Sequence, residues 1–245
     1  MALNHVFIGN PTAKKLIIFL HEGLGSIAQW KTFPESVCEA TNSYGLVYDR
    51  RGYGKSPGSL EDRSINYLEQ GAEELEEVIA TLIPENYNLF LYGHSDGGSI
   101  ALIYSANNPS KITGLITEAA HVFVEDITVD GVRAALPYFH QGKFDGLKKY
   151  HGERFQEVFF AWNNIWLNPK FRDWNITEIL HHISCPQLII QGKDDQYGSL
   201  KQVDTIAKQT TGKTSKFIPD NCNHAPHKEK QKETLLQVTQ FLKDF

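Results

Sequence analysis

Short apolar runs rich in β-branched and aromatic residues recur along the chain. Between them lie longer stretches in which apolar positions return at helical spacing. LIIFL (16–20), GLVYD (45–49), NLFLY (88–92), KITGLIT (111–117), PQLIIQ (186–191) and TSKFIP (214–219) are of the first kind. Runs so short and so uniformly apolar predict strands buried on both faces. HVFI (5–8) adds one short strand before them. Residues 64–82, 97–108, 199–210 and 226–244 are of the second kind and predict helices. Strands that alternate with helices predict an α/β fold: a mostly parallel central sheet with helices on both faces.

One stretch breaks the alternation. Residues 122–182 hold no convincing strand but carry aromatics at helix-like spacing, among them Phe139, Phe155, Phe159, Trp162 and Trp166. About sixty residues are too many for a plain loop in a compact domain. We therefore expect a helical insertion, a cap, at 122–182, and a core made of 1–121 and 183–245. Most of its aromatics would form a small core of their own, and a few would face a cleft.

The chemistry enters at Gly93-His94-Ser95-Asp96-Gly97-Gly98. G-x-S-x-G between a predicted strand and a predicted helix fits a nucleophile elbow, a turn so tight that its neighbours must be small. It lifts the serine hydroxyl out of the sheet to a helix N-terminus, where the dipole and free N–H groups favour negative charge. A serine needs a base, and the base an orienter, arriving in the order serine, acid, histidine. Asp194 and Asp195 follow PQLIIQ, and His224 and His227 follow TSKFIP. Asp195 is preferred, with Asp194 its close rival as a turn or capping aspartate. His224 is preferred because it lies in the loop, whereas His227 follows Pro226 and starts the last helix. The oxyanion needs two N–H donors. One is the residue after the nucleophile, Asp96. The other is expected from the glycine-rich loop after LIIFL, at Glu22 in His21-Glu22-Gly23-Leu24-Gly25. His21, Gly23, His94, His121 and Trp162 are expected to line the cleft.

LIIFLHEGLGS, VYDRRGYGKS, LYGHSDGGSIAL, IIQGKDDQYGS and NHAPHKE together resemble the α/β-hydrolase fold superfamily, from about residue 15 to the end. The resemblance implies a cap where 122–182 falls, a triad of Ser95, Asp195 and His224, and a hole from the N–H groups of Glu22 and Asp96. It also makes Glu118, at the end of KITGLIT, an alternative acid. Three departures stand out. Glu22 replaces the glycine of the usual H-G-x-x-G loop, Asp96 replaces an apolar or amide residue, and the N-terminus has room for one strand before LIIFL. The implied activity is a serine hydrolase that cleaves an ester-type bond, carboxylic ester or thioester, of a small, partly apolar substrate through an acyl-enzyme on Ser95. The alternatives are a lactonase, a C–C hydrolase of ring-cleavage products and a small-molecule sensor on the same fold. Serine at the apex argues against relatives that use aspartate there. The arginines of Asp49-Arg50-Arg51-Gly52-Tyr53-Gly54 read as structural ion pairs.

Composition narrows the partners. A net charge of −5, from 24 basic and 29 acidic residues without a run of one sign, argues against a nucleic-acid partner. LIIFL is too short to span a bilayer, and the N-terminus lacks a secretory pattern. Three scattered cysteines without C-x-x-C spacing fit reduced thiols and give no metal signature. The expectation is a cytoplasmic monomer or homodimer, free of membrane, metal and cofactor, acting on a small molecule.

Overall fold

The computed structural model describes residues 2–61, 63–84 and 86–245. Seven strands form one sheet: β1 (His5–Gly9), β2 (Lys15–Leu20), β3 (Tyr44–Tyr48), β4 (Asn88–His94), β5 (Gly114–Glu118), β6 (Gln187–Ile190) and β7 (Thr214–Phe217). Their order is β1-β3-β2-β4-β5-β6-β7. Only β1 runs antiparallel, pairing with β3 at one edge. β4 lies in the middle, between β2 and β5. All seven match expected runs.

Alternate residues of the central strands enter different cores, as the two-residue repeat of a strand requires. Leu16, Ile18, Leu20, Leu89 and Leu91 pack under α2 (Tyr67–Leu82) and α3 (Asp96–Asn107). Ile17, Phe19, Phe90 and Tyr92 pack under α1 (Phe33–Thr41) and, through Val238 and Leu242, under the C-terminal helix. α3 is buried on all sides from Asp96 to Ala106, which suits a helix that carries a site at its N-terminus inside the molecule.

The segment between β5 and β6 is helical, as expected, apart from one β-bridge between Phe123 and Asn175. It comprises α4 (Asp126–His140), α5 (Lys148–His151), α6 (Phe155–Trp166) and short 3₁₀ turns. Phe139 stacks on Phe159 at 4.1 Å, with Phe144, Phe155 and Phe160 around them. The expected separate core is corrected: Phe155 and Phe159 run on into the core under α2 and α3, because the segment packs directly on that face. Two side chains root this helical segment in the rest of the protein. Arg154 donates to the carbonyls of Gly52, Gly54, Ser56 and Gly58. His151 accepts the Gly54 N–H on Nδ1 and donates from Nε2 to the Leu24 carbonyl.

Two helices differ from expectation. α1 gave no pattern, because it is short and Pro34 reads as a breaker; in the first turn its missing N–H costs nothing. The last helix is not continuous. It breaks at Lys230, where ψ swings to 45°, into α8 (Pro226–Glu229) and α9 (Gln231–Lys243). After β6, α7 (Leu200–Gln209) is capped by Ser199, whose side chain accepts from Lys201 N–H, and not by either aspartate before it. Among the described residues no helix is long and apolar enough to cross a membrane.

Candidate active site

The central strand β4 runs straight into Ser95 and then α3. Ser95 has φ 53° and ψ −118°, a left-handed strained conformation that glycine usually fills. The neighbours must therefore be small. A Cβ on Gly93 would lie 2.2 Å from the Gly97 carbonyl oxygen, and one on Gly97 would lie 2.1 Å from that of Leu20.

Two loops at the same sheet edge bring partners to the hydroxyl. His224 Nε2 lies 2.9 Å from Ser95 Oγ. His224 Nδ1 lies 2.9 Å from both carboxylate oxygens of Asp195. A carboxylate can only accept, so Nδ1 carries the hydrogen and Nε2 is free to take the serine proton. Asp195 Oδ1 also accepts the Tyr197 N–H at 2.8 Å. Burial alone would raise the Asp195 carboxyl, but the charge and hydrogen bond of His224 hold it below the ordinary range. Burial alone would lower His224, and the charge and hydrogen bond of Asp195, followed by Glu22 and Glu118, lift it above the ordinary imidazole value. Asp194, the rival acid, is exposed; Glu118, the other alternative, is directed to His227.

The loop after β2 is fixed through the carbonyl of Glu22. That oxygen accepts from His21 Nδ1 at 2.8 Å, Arg50 Nη2 at 3.0 Å and the Gly25 N–H at 3.0 Å. His21 Nε2 in turn accepts the Arg50 N–H, and burial holds this ring neutral. The Glu22 and Asp96 backbone N–H groups form no hydrogen bond with acceptors among the described residues. The Glu22 side chain lies in the cavity wall, where Oε2 accepts the Leu24 N–H at 2.5 Å. Asp96 opens α3, fully buried, and neither of its oxygens has a hydrogen-bond partner. Arg50 Nη2 stands 3.8 Å from it.

A cavity of about 240 Å³ covers Ser95 and His224. His94, His121 and Trp162 line it, and so does Glu22, which the sequence singled out only for its backbone N–H. His21 and Gly23 do not, and both expectations are corrected. His21 is turned into the protein to hold the loop, and Gly23 is covered by Trp162, whose Cδ1 would meet a Cβ there at 2.6 Å. Thr128 and Val132 of α4, Trp166 of α6 and Tyr197 also line it. Strand and motif signals could not find Thr128, Val132 and Trp166, which reach the site only through the packing of the helical segment; Tyr197 arrives with Asp195, whose Oδ1 accepts its N–H. The Tyr197 ring lies 4.9 Å from that of His224. Larger cavities, of about 420 and 470 Å³, include neither Ser95 nor His224. All three cysteines are free and buried, and burial pushes their thiols up to about 11 or 12, so no thiolate competes with Ser95 as nucleophile near neutral pH.

His94, Glu118 and His227 bring metal-type donor atoms within 4.8 Å of one another. The donor types suit zinc. However, the Glu118 oxygens, His227 Nδ1 and His94 Nε2 are already hydrogen-bonded within the protein.

Residues 12–143 match the family described as serine aminopeptidase, S33. Among curated relatives, the human serine hydrolase BPHL is 26% identical over 180 residues, 71% of this chain and 61% of that protein. A proline iminopeptidase of Saccharolobus solfataricus is 26% identical over 82% of this chain and 77% of its own length. The match to the bem46 protein of Schizosaccharomyces pombe spans 41% of that relative, so the chain covers less than two thirds of the first relatives it resembles. Among solved structures, MenH from S. aureus superposes with a TM-score of 0.75 at 17% identity, over 100% of this chain and 99% of that one. The enol-lactonase from Burkholderia xenovorans gives 0.74 at 15% identity, over 98% and 96%. At such identities these two structures report the fold.

Proposed function

Because the chain belongs to the serine aminopeptidase S33 family of α/β-hydrolases, we propose that this hydrolase cleaves an ester-type bond of a small, partly apolar substrate through an acyl-enzyme on Ser95. The observation that carries the reading is the hydrogen-bonded line from Asp195 through His224 to Ser95 at the base of a cavity. His224 Nε2 takes the hydroxyl proton as Ser95 Oγ attacks the carbonyl carbon. Asp195 stabilises the imidazolium. The N–H groups of Glu22 and Asp96, free of other acceptors among the described residues, receive the oxyanion. The proton then passes to the leaving oxygen or sulfur, and a water molecule repeats the sequence on the acyl-enzyme. Leu24, Val132, Trp162 and Trp166 give the acyl pocket its apolar wall.

Labelling with a fluorophosphonate, read by intact mass and peptide mapping, tests this. One adduct on Ser95 is expected, and none in Ser95→Ala. No adduct on folded wild-type protein would overturn the reading and favour a sensor that binds without turnover. The pH dependence has a defined sign. Only neutral His224 accepts a proton, and its pKa is raised, so activity should fall as pH drops through a midpoint above 6.5, the ordinary histidine value. A kcat/KM profile with its acid midpoint below 6.5 would contradict the ion pair.

A second reading is favoured by one observation, the buried Asp96 carboxylate next to Ser95, whose oxygens accept no hydrogen bond and whose nearest cation, Arg50, stands 3.8 Å away. It is that the acyl group carries an amine, as the names serine aminopeptidase and proline iminopeptidase suggest for relatives. On this reading Asp96→Asn lowers kcat/KM for an aminoacyl ester about 10- to 100-fold more than for an uncharged ester of the same size. Equal losses on the two esters would remove it.

A further inference from the structure

The site holds a second acid–histidine pair beside the first. Glu118 ends β5 with no solvent exposure. Its Oε1 accepts the His227 N–H at 2.9 Å and lies 2.7 Å from His227 Nδ1. Its Oε2 accepts the Tyr92 hydroxyl at 2.5 Å. His227 belongs to α8, and its ring packs on Trp30 at 4.7 Å and on His94 at 4.9 Å. His94, the residue before the nucleophile, reaches the backbone carbonyl of His224 with Nε2 at 2.8 Å. A carbonyl only accepts, so His94 Nε2 carries the hydrogen. From the other side Glu229 takes the N–H groups of Asn223 and Ala225, the neighbours of His224.

We propose that Glu118 and His227, acting through His94, are positioning residues for His224: they pin its backbone to the Ser95 elbow and set a second fixed negative charge behind its ring. The proposal rests on the reading of His224 as the base. It explains why a carboxylate stands where the resemblance allows an alternative triad acid yet does not touch His224. Glu118 is bonded to a different histidine, and its influence passes through packing and field.

The charge is present at working pH. Burial alone would raise the Glu118 carboxyl, but the His227 ring beside it and the hydrogen bonds from that ring and its N–H hold it at about 2. Burial holds His94 neutral, so it acts by geometry. In a dry interior a fixed charge is poorly screened and reaches its neighbours. The titratable groups around His224 are Asp195 from the β6–α7 loop, Glu22 from the β2 loop, Glu118 from β5, His94 from β4, His121 from the segment before α4, and Lys228 and Glu229 from α8.

The test is Glu118→Gln, whose amide oxygen still accepts the His227 N–H and whose NH2 can donate to the Tyr92 hydroxyl oxygen, but which carries no charge. Two readouts apply: NMR titration of the His224 imidazole in histidine-labelled protein, assigned against His224→Gln, and the acid limb of kcat/KM for p-nitrophenyl acetate. The His224 midpoint should fall by about half a unit, with the acid limb moving equally toward lower pH. His94→Leu should lower kcat about 10-fold without moving the midpoint. Asp204→Asn, which removes an exposed partner of Lys216, serves as the control for charge loss alone and should change neither. An unmoved His224 midpoint in folded Glu118→Gln would overturn the proposal. Should that variant not fold, an unchanged kcat in His94→Leu would overturn it instead. Failure of the acyl-enzyme reading shows separately, as hydrolysis that survives Ser95→Ala, while the NMR midpoint still answers the question about Glu118.

Discussion

His224→Ala should lower kcat by about 10⁴-fold or more, and Ser95→Ala by a similar factor, because nucleophile and base act as one unit. The double variant should lose little beyond either single change, and that non-additivity is the sharper part of the expectation. His224 does nothing for a protein whose Ser95 hydroxyl is gone, since its Nε2 has only that proton to take. Initial rates on a p-nitrophenyl ester with the three variants decide it. If the losses multiply instead, the two side chains do not share one proton transfer. Asp195→Ala should cost less than either, because it removes the orienter while leaving serine and base in place.

Gly97→Ala should damage both stability and catalysis. The added Cβ would sit 2.1 Å from the carbonyl oxygen of Leu20 and 2.8 Å from that of His21. Both are backbone atoms, so no side chain can turn away. Overpacking of this kind costs about 3 kcal/mol, which in a chain of this size lowers Tm by ~6–12 °C. The displaced backbone leads directly into Glu22, whose N–H is the proposed oxyanion donor. Displacing one donor typically costs about 10²–10³ in turnover. Scanning calorimetry and kcat together check the pair of effects. A variant with unchanged Tm and rate would show that α3 can retreat from β2 as a rigid body.

Those two residues mark what the sequence could and could not say. The strands were legible because burial on both faces leaves short, uniformly apolar runs that little else produces. The elbow was legible because its backbone excludes side chains on both flanks, which forces glycine into the pattern. Asp195 and His224 were legible from order and position at strand ends, and the fold brings them to hydrogen-bond distance of one another and of Ser95. The cavity wall was only partly legible. Whether a loop histidine faces a cleft or the protein depends on which carbonyl it finds: His21 finds that of Glu22, and His121 finds that of Tyr197 while still lining the cavity. Val132 and Trp166 reach the cavity through docking between distant segments, and no local spacing encodes that contact. Likewise Glu118 carried the right residue type at the right strand end, and only the position of His227 decides which imidazole it serves.

The anchoring of the cap has a consequence for traffic in and out of the pocket. Arg154 and His151 tie its middle to the loop that follows β3 and to the Leu24 carbonyl beside the proposed oxyanion donors. Swinging the whole cap aside would break at least the four arginine bonds, at ~1 kcal/mol each, leaving an open population on the order of one molecule in a thousand. Among the described residues, α4 on the opposite flank makes no hydrogen bond to the loop after β2. There Asn163 Nδ2 donates to the Val132 carbonyl, and Thr128 Oγ1 donates to that of Tyr197. A ligand that enters by breathing at that flank never disturbs the loop on which the oxyanion donors ride. On the proposed reading, product would then exchange for substrate with the oxyanion donors still in register, and each turnover would begin without a reassembly step.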